Sequence, residues 1–172
     1  CLLGFSFGGY WCVRAAAFED RIDRVIAAPP VFDLLKSESA FSQWLARTLM
    51  KAEGLMDWMI RVQMSMFSAA NFYMRHIMAT TDRETAYEAA EWVLEMNEEH
   101  LHSERIHQDV LLTAGENDPF QPPELMRLQK EALTNARSVA TRVFTADEEA
   151  DQHCQVGNLG LALEVMTDWL NN

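Results

Sequence analysis

Near its start the chain passes from an apolar run, Cys1-Leu2-Leu3-Gly4-Phe5, through Ser6 into Phe7-Gly8-Gly9 and an alanine-rich stretch. The apolar run reads as a buried strand and Tyr10 to Glu19 as a helix. Glycines two before and two after the serine let the backbone bend sharply there, and Gly8 and Gly9 let the helix approach the sheet closely. Arg24 to Ala28 is a second buried strand, stopped by Pro29-Pro30, which cannot continue a hydrogen-bonded ladder. Strand, helix, strand in that order predicts a parallel pair with a right-handed crossover.

Serine is a poor nucleophile at neutral pH and needs an adjacent base, itself oriented by a carboxylate. Gly4-x-Ser6-x-Gly8 supplies the geometry for that arrangement, a serine on a strained strand-to-helix turn. The competing reading of Ser6 is a plain turn serine. The rest of the chain decides how far the chemical reading goes.

Strand-helix alternation resumes late in the chain. Asp109-Val-Leu-Leu-Thr-Ala-Gly115 is a third buried strand, and Pro122 and Pro123 suit the first turn of a helix running to about Asn135. Ser138 to Phe144 alternates and is rich in β-branched residues, which makes it a fourth strand. A closing amphipathic helix carries Leu159, Ala162, Leu163, Met166, Trp169 and Leu170. Asp118 stands directly after the third strand, and His153 stands in the loop between the fourth strand and the closing helix. Ser6, Asp118 and His153 thus each follow a parallel strand, at the end where α/β sheets place their sites. The alternatives are a helix-capping role for Asp118, Glu116 or Asp147 as the acid, and a surface role for His153. If the acidic run Asp147 to Asp151 lies near His153, it raises that histidine's pKa.

Residues 34–106 change character. Phe41, Trp44, Leu45, Thr48 and Leu49 recur at helical spacing, with Gly54 ending that helix. A second helical pattern runs through Leu55, Met59, Val62 and Met66 toward Met78. Thr81-Asp82-Arg83-Glu84 matches a capping box opening a helix with Ala86, Ala90, Val93 and Leu94 inward, ending near Asn97. This reads as an insertion of three or four helices, 34–106, between the core segments 1–33 and 107–172. It holds eight of the ten methionines with Trp44, Trp58, Phe67, Phe72, Tyr73 and Trp92. That composition suits either ordinary helix core or a lid over a small apolar or aromatic substrate, and an apolar helical face also suits a homodimer contact.

The 14 Lys and Arg against 26 Asp and Glu leave a net charge of -12, which repels nucleic acid and acidic membranes. No stretch approaches the ~20 apolar residues of a transmembrane helix, and the apolar start lacks the basic flank of a signal peptide. Cys1, Cys12 and Cys154 are an odd, sparse set, expected as reduced thiols in a cytoplasmic setting. No CxxC pair or zinc-ligand spacing occurs, and His100, His102 and His107 read as solvated histidines. No metal and no cofactor is expected.

The segments Gly4-Phe5-Ser6-Phe7-Gly8-Gly9-Tyr10, Gly115-Glu116-Asn117-Asp118 and His153-Cys154-Gln155-Val156-Gly157-Asn158 resemble one branch of the α/β-hydrolase superfamily. That branch holds the 2,6-dihydroxypseudooxynicotine hydrolase-like and fermentation-respiration switch esterase-like proteins, near prolyl oligopeptidase and dienelactone hydrolase. The resemblance covers essentially the whole chain and implies Ser6 as nucleophile, Asp118 as acid and His153 as base. It also implies the Phe7 backbone N–H as an oxyanion-hole donor and residues 34–106 as a helical cap. Family members have further strands and a second oxyanion donor before the elbow. The expectation is therefore the C-terminal half of such a protein, weakly active or inactive alone. The expected activity is serine-dependent hydrolysis of an ester, an amide or a carbon–carbon bond next to a carbonyl. The alternative is a non-catalytic binding or regulatory domain on the same scaffold.

Overall fold

A computed structural model describes residues 1–36 and 39–172; Ser37 and Glu38, inside the expected insertion, lie outside the described residues. The chain divides into two compact units, Cys1–Ser37 with Asn97–Asn172, and Glu38–Met96. The insertion expected over 34–106 is thus narrower. Residues 97–106 join the first unit, where Leu101 and Ile106 are fully buried. Gln129 donates to Ser103 Oγ at 2.9 Å, and Asn135 donates to the Glu104 carbonyl at 2.7 Å.

The first unit is built on four strands, β1 (Leu2–Phe5), β2 (Arg24–Ala28), β3 (Asp109–Gly115) and β4 (Ser138–Phe144). They lie in chain order, and every neighbouring pair is parallel. The register sets Gly4 beside Ala27, Val25 beside Val110 and Leu111 beside Ala140. β2 and β3 are the central strands and read as unbroken apolar runs because both faces are covered. On one face Ile26, Ala28, Leu111 and Phe144 pack with Ala162 and Met166 of the closing helix, Leu159–Asn171. The helix after β1, Phe7–Ala16 (α1), packs on β1 and β2 through its buried Tyr10, Cys12, Val13 and Ala16.

The second unit holds α2 (Ala40–Leu49), α3 (Glu53–Met66), α4 (Ser68–Thr81) and α5 (Ala86–Leu94). Its boundaries depart from the sequence pattern at three places. Gly54 does not end α2; it is the second residue of α3. The run toward Met78 is broken at Phe67, whose extended backbone (φ -126°, ψ 116°) separates α3 from α4. Thr81 does not open a helix either, since its hydroxyl donates back to the Ile77 carbonyl within α4. The capping box lies one turn later, with Thr85 Oγ accepting from Glu88 N and Glu88 accepting from Thr85 N. Asp82 adopts a left-handed conformation that ends α4 before the box can begin. In α5 the buried residues are Ala86 and Ala89, while Ala90, Val93 and Leu94 are half-buried. Among the described residues of α2, α3 and α4 none is buried, and Phe41, Trp44, Trp58, Met66, Phe67 and Phe72 are exposed.

The turn from β1 into α1 sets the direction of Ser6. Its backbone stands at φ 52°, ψ -124°, a region that costs an L-residue roughly 1–3 kcal/mol. The two flanking glycines are not equivalent. A Cβ on Gly4 would lie 1.9 Å from the Gly8 carbonyl oxygen, so strand and helix meet there at backbone distance. A Cβ on Gly8 would meet nothing within 4 Å, whereas one on Gly9 would strike the Pro29 carbonyl oxygen at 2.1 Å. Close approach therefore depends on Gly4 and Gly9, and Gly8 is dispensable.

Two outcomes follow for thermal stability. Gly8→Ala is expected to hold the wild-type melting temperature, or to raise stability by less than about 1 kcal/mol through the lower helix cost of alanine. Gly4→Ala is expected to lose several kcal/mol or fail to fold, because backbone must move. In the helical unit, Thr85→Ala is expected to cost about 1 kcal/mol and Thr81→Ala clearly less, as read by chemical denaturation.

Candidate active site

Parallel strands put their C-terminal ends on one edge of the sheet, and the three candidate residues all lie there. Ser6 follows β1 directly, Asp118 is three residues past β3, and His153 follows the loop after β4. The Ser6 N–H donates to the Ala28 carbonyl at 3.3 Å, and the Ser6 carbonyl accepts from Gly9 N at 2.7 Å. These bonds hold the turn from both sides.

The structure brings the three side chains into one line. Ser6 Oγ lies 2.9 Å from His153 Nε2. His153 Nδ1 lies 2.8 Å from Asp118 Oδ2 and 3.1 Å from Oδ1. The acceptor carboxylate fixes the proton on Nδ1, so the neutral imidazole presents Nε2 as the acceptor for the Ser6 hydroxyl. Glu116 is occupied elsewhere, accepting from Ala146 N at 2.6 Å, and Asp147 sits in the short turn Ala146–Glu148. The carboxylate at His153 is that of Asp118.

Asp118 is itself tightly held. Its side chain is fully buried, and Oδ1 also accepts from Phe120 N at 2.8 Å and Gln121 N at 2.9 Å. Burial alone would push the carboxyl up; the hydrogen bonds from His153 and from the Gln121 and Phe120 amides together outweigh it and leave its pKa below the ordinary value. Asp118 does not cap the next helix, α7 in chain order (Pro123–Ala132, after α6 at Glu98–Leu101): that helix has Pro122 at its N-cap with no side-chain cap, and the amides Asp118 holds, of Phe120 and Gln121, precede it.

His153 is raised to about 9, first by its hydrogen bond to Asp118 and then by the Cys154 side chain, with burial opposing. The acidic run is not the origin of this shift. Glu148 pairs with Arg142, and Asp151 accepts from Asn117 Nδ2 at 2.9 Å and Gln152 Nε2 at 2.6 Å. Asn117 also donates its backbone N–H to the Asp151 carbonyl at 3.0 Å, which ties the acid loop to the histidine loop. A Cβ on Gly115 would lie 2.1 Å from the Asp151 carbonyl oxygen, so these loops also touch at backbone distance. Past His153 the chain turns through two left-handed residues, Cys154 and Gln155, each at φ 54°.

Phe7 is the first residue of α1, where a helix leaves its N–H without an internal partner and gathers positive potential. Sequence reasoning missed Phe120, whose ring meets the His153 imidazole edge-on at 5.1 Å between centroids and 73° between planes. A lone aromatic in a loop has no periodicity to announce it. Gln155, quoted above only as part of the segment after His153, is fully buried, with neither amide atom hydrogen-bonded to a protein group. Among the described residues no group of three or more His, Cys, Asp or Glu is placed to hold a metal ion.

No family model matches the chain, and no curated protein does either. Solved structures do. The α/β hydrolase GrgF from Penicillium sp. sh18 superposes with a TM-score of 0.57 at 15% identity, over 98% of this chain and 61% of that one. The Pyrococcus furiosus esterase Pf2001 gives 0.52 at 16% identity, over 98% of this chain and 50% of the other. The enol-lactonase from Burkholderia xenovorans LB400 gives 0.51 at 18% identity, over 99% and 65%. The chain therefore spans between half and two thirds of the length of these structures. Identities this low speak to architecture alone: a parallel sheet flanked by helices, in the α/β-hydrolase fold.

Proposed function

We propose that this chain carries the nucleophile, base and acid of a serine hydrolase acting on an ester of a small, apolar or aromatic substrate. Amides, or a carbon–carbon bond next to a carbonyl, are open to the same groups. The observation that supports this reading is the unbroken line from Ser6 Oγ through His153 to Asp118, with contacts of 2.9 and 2.8 Å. Ser6 Oγ bonds to the carbonyl carbon as its proton passes to His153 Nε2, and the carbonyl π electrons move onto oxygen. The Phe7 N–H donates to that oxyanion. When the oxyanion collapses, the leaving alkoxide takes the proton from Nε2. Water then repeats the sequence on the acyl-serine, and the serine is released. Asp118 stays ionised throughout and holds the imidazolium. His153 Nε2 carries every proton transfer in this scheme, and the Phe7 amide gives the oxyanion a hydrogen bond without releasing its proton.

A fluorophosphonate tests the assignment directly, because it captures a serine only where a base activates it. Labelling is expected at Ser6, read by intact and peptide mass, and is expected to vanish in Ser6→Ala and to fall by orders of magnitude in His153→Ala. Labelling elsewhere, or persisting in His153→Ala, refutes the nucleophile and base roles. Labelling absent throughout, with an apolar ligand or protein still bound, instead favours a non-catalytic domain.

The pH dependence has a defined sign. The base must be neutral, and a pKa near 9 leaves only about 1% neutral imidazole at pH 7. The labelling rate is therefore expected to climb about tenfold per pH unit from 6 to 8 and to level off above 9. A rate already flat from pH 6 contradicts the raised pKa.

A further inference from the structure

Phe120 touches two members of the site at once. Its backbone N–H donates to Asp118 Oδ1 at 2.8 Å, while its ring lies edge-on to the His153 imidazole with centroids 5.1 Å apart. The two hydrogen bonds of His153 run through Nδ1 and Nε2, within the plane of the ring. They fix where the nitrogens lie but resist tilting of the ring poorly. An aromatic neighbour at 73° supplies resistance in that direction. The Phe120 backbone is bonded to the acid, so the residue whose ring braces the base is anchored at Asp118.

The remainder of Phe120 is open. The residue is 56% exposed, although it sits against a buried carboxylate and a half-buried imidazole. A loop phenylalanine that served only to fill space would be covered. The ring of this open residue stands beside the imidazole whose Nε2 meets Ser6 Oγ.

We propose that Phe120 is a positioning and specificity-determining residue: its ring braces His153 on the line to Ser6, and its exposed part receives an aromatic or branched apolar group of the substrate. This rests on the assignment of Ser6 and His153 as nucleophile and base. Among simple esters, those bearing an aryl or branched alkyl group next to the reacting carbonyl are then favoured over acetyl-sized ones.

The test measures second-order labelling of Ser6 in the full chain by two fluorophosphonates, one with a methyl and one with a phenyl substituent on phosphorus. Phe120→Ala is expected to slow the methyl probe about 3- to 10-fold, the worth of an edge-on aromatic pair. The phenyl probe is expected to slow by a further factor of about ten, from lost apolar contact. Phe120→Tyr keeps the ring and is expected to retain both rates. Phe120→Leu keeps bulk without the ring and is expected to slow both probes, which covers the case of an alanine variant that does not fold. Melting temperatures of the variants separate a local effect from unfolding. Wild-type rates with both probes in Phe120→Ala overturn the proposal while leaving the nucleophile assignment intact. An equal loss with the two probes overturns the specificity role. An unlabelled wild-type chain overturns the nucleophile assignment, and the role of Phe120 with it.

Discussion

Backbone contact between β1 and α1 at Gly4 and Gly8 is the constraint on which the rest of the site depends. With no side chain at residue 4, the helix starts one residue past Ser6, and the serine is forced into a left-handed conformation of the kind glycine tolerates. The strain is tolerated because the neighbouring elements over-determine the turn. The Ala28 carbonyl holds the Ser6 amide from β2, and the Gly9 amide holds the Ser6 carbonyl from α1. Parallel pairing does the remaining work of assembly. Since all four strands run the same way, residues 147 positions apart in the chain finish at one edge of the sheet and meet at 2.9 Å.

The sheet was legible for a physical reason. A strand buried on both faces must be a short apolar run, and glycine or proline must end it. Arg24–Ala28 and Asp109–Gly115 therefore have in the structure the bounds expected from the sequence, and Ser138–Phe144, an edge strand only partly buried, keeps its expected bounds through its alternation and β-branched residues. The helical unit was less legible because its apolar residues do not mark one buried face. Methionines and aromatics lie on several sides of α3 and α4, so their periodicity says helix without saying where each one stops. Those stops are set by backbone conformations, at Phe67 and Asp82, that residue type alone does not dictate. Two threonines each stood three residues before a glutamate. Only the hydrogen bonds distinguish Thr85, which caps, from Thr81, which closes the preceding helix.

The candidate site shows the same division. Ser6, Asp118 and His153 were singled out by their positions at strand ends, and the structure brings their side chains together. Their surroundings needed coordinates. The sequence pattern gave equal standing to Gly4 and Gly8, and only the backbone geometry shows that one is crowded and the other open. Proximity in sequence also made the acidic run a natural source of the His153 shift. In space those carboxylates are engaged by Arg142, Asn117 and Gln152, and the influence belongs to Asp118, 35 residues away.

Asp151 lies on two paths at once. Its carbonyl accepts from Asn117 beside the acid and lies against Gly115, and its side chain holds the Asn117 amide, all two residues before His153. The acid and the base are therefore carried on loops that share an anchor, and the distance between them is set by backbone that neither side chain touches. Asp118 and His153 are thereby joined through backbone as well as through their side chains, whereas Ser6 meets His153 through a side-chain contact of 2.9 Å.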